Sequence, residues 1–232
     1  MLRVNRIVKS YGKKFRLDVE NLTVESPNVI TLLGPNGSGK TTFLKILLGL
    51  VNPQKGEIEY NGKSITDDFT FKNDLSYMPQ TAIYPENLKV KEIIEITKAL
   101  KNHTINYDYD LYEQYKIDEI LESNFSSLSQ GTKQKIAASI VFMFKSPVII
   151  LDEPTAGLDP YAAELFKEKI LKEKTNKLLL FTTHIISDVT ELSDRLIFLH
   201  EGRIKYDKII NEEFNNRDSK MIISEVADYF KG

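Results

Sequence analysis

A glycine-rich loop between an apolar strand and a helix constrains this chain more than any other feature. Residues 29–33 (VITLL) are apolar and partly β-branched, which predicts a strand. A helix is predicted to begin near Lys40 and to run through Leu48. Residues 34–42 form the junction and read GPNGSGKTT. This order is typical of phosphate-binding sites, because glycines let the backbone come close to an anion at a helix N-terminus.

The side chains of this loop predict how a nucleoside triphosphate is held. Lys40 is expected to reach the β- and γ-phosphates, and the Thr41 hydroxyl is expected to ligate Mg²⁺. Successive backbone N–H groups are expected to point at phosphate oxygens. The residues assigned to nucleotide binding here are Gly34, Pro35, Asn36, Gly37, Ser38, Gly39, Lys40, Thr41 and Thr42.

The composition excludes several other classes of protein. With 41% hydrophobic and 28% charged positions, the 232 residues have the composition of an ordinary globular protein. The net charge is −2 with the signs interspersed, so we expect no nucleic-acid partner. The absence of cysteine excludes disulfides, zinc–thiolate sites and thiol catalysis. No apolar run approaches the ~18 residues that cross a bilayer, so we expect any membrane-spanning partner to be a separate polypeptide.

The hydrophobic pattern predicts an α/β protein with a mostly parallel core sheet. Residues 148–151 and 178–182 are continuous apolar runs, which are typical of strands buried on both faces. Alternating apolar and polar positions at 2–24 predict short antiparallel strands that form a separate β subdomain. Further strands are predicted at 56–60, 75–78, 196–199 and 204–206, the last two as a hairpin.

A helical segment interrupts this α/β pattern. Apolar residues recur at helical spacing from Val90 to Leu100 and again from Ile136 to Phe144. We therefore predict one domain over 1–232, with an α/β core at 1–82 and 145–232, an inserted helical subdomain at 83–144 and a last amphipathic helix at 219–230.

Two acids follow one of the buried strands. Because ligands bind beyond the carboxyl ends of parallel strands, Asp152 and Glu153 are expected near the phosphate loop. Asp152 is predicted to hold Mg²⁺, and Glu153 to orient and polarise the attacking water. His184 ends the next buried strand, where it either contacts the γ-phosphate or is a structural histidine. Gln80 follows strand 75–78 and is predicted to contact Mg²⁺ or the water.

Two further positions are candidate nucleotide contacts. Tyr11 lies at a strand end before the phosphate loop, where it either stacks on a nucleobase or is an ordinary turn residue. Ser129 is placed to cap the helix that follows, so the N–H groups after it form either a second anion site or an ordinary helix start. A second phosphate site in one chain suggests that it serves the nucleotide of another molecule.

Together these residues resemble the nucleotide-binding subunits of ABC transporters. The resemblance extends over essentially the whole chain, because the family's motifs occur in the family's order. Tyr11 matches the A-loop, residues 34–42 the Walker A motif, Gln80 the Q-loop, 128–132 the signature, 148–153 the Walker B motif, 157–159 the D-loop and His184 the switch histidine.

The resemblance implies a P-loop cassette with a RecA-like core that hydrolyses ATP with Mg²⁺. It implies a head-to-tail dimer with a second, identical cassette, in which Ser129, Gly131 and Asp159 contact the partner's nucleotide. It also implies a polytopic permease docked near Gln80, with the cassette peripheral on the cytoplasmic face of the membrane. The signature departs from the family pattern at Gln130 and Thr132.

A finer resemblance concerns the membrane partner. Residues 77–80 (YMPQ) and 84–87 (YPEN) are similar to cassettes that serve ABC-2-type membrane subunits, in particular the ATPase subunit that supports copper-site assembly in nitrous oxide reductase. The alternative is a soluble ABC ATPase that acts in cofactor assembly or regulation. A P-loop kinase or GTPase is disfavoured, because the chain has the paired acids and the distal histidine and lacks an N-K-x-D stretch.

The phosphate-loop assignment is tested by Lys40→Ala. This variant removes the cation that is expected to contact the β- and γ-phosphates, so high-affinity ATP binding should be abolished. Calorimetric titration with ATP measures the loss. Normal binding by the variant contradicts the assignment.

Overall fold

The computed structural model describes residues 1–12, 14–26, 28–67, 69–101, 106–210 and Val226. The chain forms two β-sheets with helices packed around them. The strands are β1 (Leu2–Tyr11), β2 (Phe15–Val19), β3 (Leu22–Val24), β4 (Asn28–Leu33), β5 (Lys55–Tyr60), β6 (Lys63–Ser64), β7 (Leu75–Met78), β8 (Val148–Asp152), β9 (Leu178–Thr183), β10 (Arg195–His200) and β11 (Arg203–Ile209).

The larger sheet has the order β11-β10-β4-β9-β8-β7. All neighbours are parallel except β10 and β11, which form the antiparallel hairpin expected near the end of the described chain. Every residue of β8 and β9 is buried, as their continuous apolar runs predict. The smaller sheet, formed by β1, β2, β3, β5 and β6, is antiparallel. The predicted parallel core and antiparallel β subdomain are therefore confirmed.

Helices cover both faces of the larger sheet and fill the segment between β7 and β8. Short 3₁₀ turns at Phe69–Asn73, Ile117–Ile120 and Phe125–Ser127 complete the helical structure of the described residues. The α-helices are α1 (Lys40–Leu47), α2 (Val90–Leu100), α3 (Asp110–Gln114), α4 (Gln130–Met143), α5 (Pro160–Glu173) and α6 (Ile186–Leu192).

The core has two halves, one on each face of the larger sheet. On one face, Ile150 and Leu180 pack in the same cluster as Phe43 of α1 and the residues of the small sheet. On the other face, Ile149 and the helices α4 and α5 share one cluster. The signature helix α4 therefore packs directly on the core sheet, and the predicted division of the chain near residue 144 stays a prediction.

A buried lysine ties the helical segment to the core. Lys169 of α5 is only 5% exposed, and its ammonium lies 2.7 Å from Asp108, 3.5 Å from Asp110 and 2.9 Å from Glu173. Burial alone would raise the pKa of Asp108, but the hydrogen bonds from Lys169 and from the backbone of Asp110 hold this pKa below its usual value. The hydroxyl of Tyr115 adds a second link, because it donates to the carbonyl of Ala162 at 2.8 Å.

The predicted helix at 219–230 lies outside the described residues, apart from Val226. Val226 is 3% exposed and belongs to a small cluster with Leu33, Val189 and Phe198. Among the described residues, no helix combines the length and the apolar character that crossing a membrane requires.

Replacing Lys169 by Met should destabilise the fold by about 3 kcal/mol at pH 7, because it leaves acids without their buried cation. Burial opposes the low pKa values of Asp108 and Glu173, but hydrogen bonds from lysines prevail in both. A carboxyl whose pKa is lowered on folding contributes stability above its unfolded pKa and loses it as the pH falls through the folded value. The deficit of the variant should therefore shrink below about pH 4.

Urea unfolding at several pH values measures this deficit. Lys172→Met is the matched control, because Lys172 has a side chain that is 57% exposed and lies 3.4 Å from Asp110. Its effect should stay below about 1 kcal/mol. Equal effects of the two substitutions would contradict a special role for the buried lysine.

Candidate nucleotide-binding site

The glycine-rich loop follows β4 and has a path that requires its glycines. Gly37 and Gly39 have φ values of +80° and +110°, a region that favours glycine. A Cβ atom at Gly34 would lie 2.2 Å from the carbonyl oxygen of Leu199 on β10. The loop is also fixed from outside, because Gly202 donates a hydrogen bond of 2.9 Å to the carbonyl of Ser38.

Lys40 places a buried cation inside the loop. Its side chain is 6% exposed, and its ammonium donates to the carbonyls of Gly34 at 2.7 Å and Pro35 at 3.2 Å. Burial lowers the pKa of Lys40, and the charges of Glu153 and Asp152 offset part of that shift. The lysine thus provides a poorly solvated positive charge, which suits an anion such as a phosphate.

The loop fits a bound phosphate in a second respect. The hydroxyl of Ser38 is buried and has no hydrogen-bond partner among the described residues. A buried polar atom of this kind normally has a partner. A phosphate oxygen in the loop would supply one, so the residues present fit the group that the motif predicts.

Asp152 ends β8 and faces the start of α1. It is 3% exposed, and its two carboxylate oxygens have different partners. The Thr41 hydroxyl lies 3.3 Å from Oδ2, and the Thr182 hydroxyl lies 2.5 Å from Oδ1. Hydroxyl and carboxylate oxygens are ligands that Mg²⁺ prefers, so the two side chains fit the metal site that the sequence predicts.

Glu153 is the point at which the predicted catalytic side chains meet. Gln80 Nε2 donates to Glu153 Oε2 at 2.9 Å, and His184 Nδ1 lies 3.4 Å from the same oxygen. Glu153 has φ +48°, which is uncommon for a residue with a side chain. The structure thus brings together three residues that are 73 and 31 positions apart in the chain.

A cavity of about 450 Å³ is lined by residues of the loop together with Gln80 and Glu153. Tyr11 and Phe15 contribute two aromatic side chains to its lining. Tyr11 is 47% exposed, with the Lys9 ammonium 5.7 Å from the ring centroid. The exposed ring is free to stack on a base. Sequence reasoning missed Phe15, which the structure pairs with Tyr11 across the β1–β2 turn.

The other predicted nucleotide contacts do not line this cavity. Ser129 Oγ accepts from the Thr132 N–H at 3.2 Å and caps α4. Asp159 Oδ1 caps α5, and its Oδ2 lies 2.6 Å from the ammonium of Lys135. A Cβ atom at Gly131 would lie 2.9 Å from the carbonyl of Gly157, so the signature and the D-loop touch. Lys135 was not singled out from the sequence, because nothing local marks its partner.

The fold and the cavity define an ATP-binding cassette, a class of P-loop ATPase. Residues 17–156 match the family model described as "ABC transporter", which is more than half of the chain. The chain therefore belongs to the ABC transporter family, as its ATP-binding subunit. It is an ATPase whose hydrolysis of ATP is coupled to transport, and it uses ATP with Mg²⁺.

Individual relatives agree with this assignment. The ABC-type transporter ATP-binding protein EcsA of Bacillus subtilis is 28% identical over 230 residues, which cover 95% of this chain and 93% of EcsA. The lantibiotic transport ATP-binding protein SrtF of Streptococcus pyogenes is 30% identical, with 94% and 97% covered. A solved ATP-binding subunit of an ABC transporter superposes with a TM-score of 0.86 at 27% identity, covering 98% of this chain and 99% of that one.

Substitution of Gly34 tests the path of the loop. Gly34→Ala places a methyl group against the Leu199 carbonyl, so we expect a destabilisation of about 3 kcal/mol and loss of ATP binding. Gly37→Ala is the matched control, because its Cβ would meet nothing within 4 Å and only its φ of +80° is unfavourable. That control should lose about 1–2 kcal/mol. Urea unfolding compares them, and a tolerated Gly34→Ala would contradict the described path.

Proposed function

We propose that this cassette hydrolyses ATP in a head-to-tail pair with a second copy of the chain, and that closure of the pair drives a membrane-spanning subunit. The observation that carries the proposal is the incomplete cavity. It is lined by Lys40, Thr41 and Glu153 beside the loop, whereas Ser129 and Gly131 lie at the start of α4 and do not line it. A second copy would supply the missing N–H groups. In support, a solved bacterial ABC transporter cassette of the same fold, 22% identical, is described as dimeric.

The predicted catalytic and binding side chains have proposed roles in phosphoryl transfer to water. Lys40 and the loop N–H groups hold the phosphates, and Thr41 and Asp152 hold Mg²⁺, which neutralises phosphate charge when it is bound. Glu153 orients the attacking water and polarises it. Gln80 and His184 contact the Glu153 carboxylate and so fix the direction in which it points. Tyr11 stacks on the adenine.

Exposed apolar side chains support the docking of a membrane subunit on this chain. Ile83 is 82% exposed and follows Gln80 by three residues, and Leu100 at the end of α2 is 79% exposed. Leu50, just after α1, is 63% exposed. Apolar side chains with this exposure suit burial by a partner. Docking there would place the chain on the cytoplasmic face of the membrane.

In this proposal the membrane subunit, rather than the cassette, selects the cargo that is transported. SrtF is named for lantibiotic transport, and the 30% identical TupC of Peptoclostridium acidaminophilum is named for tungstate uptake. The role in copper-site assembly of nitrous oxide reductase rests on residues 77–80 and 84–87 and stays a prediction. A soluble assembly factor is the second candidate, since it uses the same catalytic residues.

Glu153→Gln tests the proposed pair. The variant keeps the hydrogen-bonding shape of the side chain but loses the charge that polarises water, so it should bind Mg-ATP without turnover and accumulate as a dimer. Light scattering with and without ATP measures the change in mass. Glu168→Gln, an exposed acid on α5, is the control and should behave as wild type. A Glu153→Gln protein that stays monomeric at saturating Mg-ATP would contradict the sandwich.

The same variant, tagged and expressed in its native cell, separates the two candidate functions. With ATP present, a polytopic membrane protein should co-purify from solubilised membranes. Adding Lys40→Ala to the variant should remove this partner if the closed pair is what binds it. A soluble partner without any membrane protein would favour the assembly factor instead.

A further inference from the structure

One buried hydroxyl joins the two acids of the site. Thr182 lies on β9, which pairs in parallel with β8. In the register of this pair, Thr182 lies opposite Asp152. The residue is 0% exposed, so its hydroxyl has no access to water and must find its partners inside the protein. Both of its partners belong to the acid pair.

The hydrogen bonds of this hydroxyl have a fixed direction. The Glu153 N–H donates to Thr182 Oγ1 at 2.9 Å, so the oxygen acts there as the acceptor. Its single hydrogen is then directed to Asp152 Oδ1 at 2.5 Å, where a carboxylate can only accept. One oxygen of Asp152 is thereby held by the sheet. The other, Oδ2, is left facing Thr41, on the side of the phosphate loop.

The same hydroxyl stabilises an unfavourable backbone conformation. Glu153 has φ +48°, a left-handed backbone conformation that is unfavourable for a residue with a Cβ atom. The N–H group of Glu153 is held twice, by Thr182 Oγ1 at 2.9 Å and by the Thr182 carbonyl at 3.2 Å. This turn aims the Glu153 side chain at Gln80 and His184.

We propose that Thr182 is a positioning residue that prepares Asp152 for Mg²⁺ and Glu153 for the attacking water. The inference rests on the proposed roles of those two acids. Thr182 does not line the cavity, and its hydroxyl acts through the two acids that it contacts. Partners that orient a metal ligand typically change metal affinity or activity by about 10–100-fold when they are removed.

A pair of variants isolates the hydroxyl. Thr182→Ser keeps it and Thr182→Ala removes it, and the two side chains otherwise have nearly the same size. ATP binding is measured by calorimetry with Mg²⁺ and, separately, with EDTA. Both variants should bind metal-free ATP like wild type, because the loop and Lys40 are untouched. The gain in affinity on adding Mg²⁺ should fall about 10–100-fold in Thr182→Ala and be retained in Thr182→Ser.

A matched control tests whether the loss of any buried threonine hydroxyl has the same effect. Thr31 on β4 is 0% exposed and bonds the hydroxyl of Ser193 rather than the acids. Thr31→Ala should lower the unfolding temperature like Thr182→Ala but leave the Mg²⁺ dependence of ATP binding unchanged. If Thr182→Ala fails to fold, Thr182→Val replaces it in the comparison, since valine fills the volume of threonine.

The outcomes distinguish this inference from the site assignment. A wild-type protein whose ATP affinity does not change with Mg²⁺ would overturn the proposed metal site. A wild type that responds to Mg²⁺, together with a Thr182→Ala or Thr182→Val protein that responds equally, would overturn the role of Thr182 alone. Equal losses in the Thr31 and Thr182 variants would also contradict it.

Discussion

Parallel pairing of β4, β9 and β8 is the constraint on which the site depends. Leu33 lies opposite Thr183 in the register of the sheet, and Asp152 lies opposite Thr182. Because the strands run in the same direction, their carboxyl ends meet at one edge. The loop after β4, the acids at the end of β8 and the histidine after β9 therefore converge, although they are far apart in the sequence. Helix α1 then adds its N-terminus at the same edge.

Buried charge determines how this edge behaves chemically. Lys40 lies among carbonyls and close to two acids, in surroundings where burial disfavours its charge. An ammonium of this kind gains more from a phosphate than a solvated one, because its desolvation has already occurred in the folded protein. The charges of Glu153 and Asp152 partly offset the cost of burying the ammonium. The charges of the lysine and the two acids are thus energetically linked.

The helical segment is joined to this core by polar and apolar contacts. Helix α4 packs on the sheet, and Lys169 of α5 binds acids that precede and begin α3. Lys135 of α4 also pairs with Asp159, the residue that caps α5. The signature region and the D-loop are therefore in contact at two points.

The sequence by itself determined the strands, the phosphate loop and the identity of the acids, because each is encoded locally. Each of these signals lies within a few consecutive residues. They are glycines at positions that need unusual backbone conformations, a lysine at the start of a helix and apolar runs that end in acids. The partners of those residues depended on the tertiary structure. Thr182 looks like any apolar-strand threonine, and Lys135 like any helix lysine, until the register of β8 with β9 and the packing of α4 on α5 bring them to Asp152 and Asp159. A hydrogen bond across strands depends on distance in space, and spacing along the chain carries no record of it.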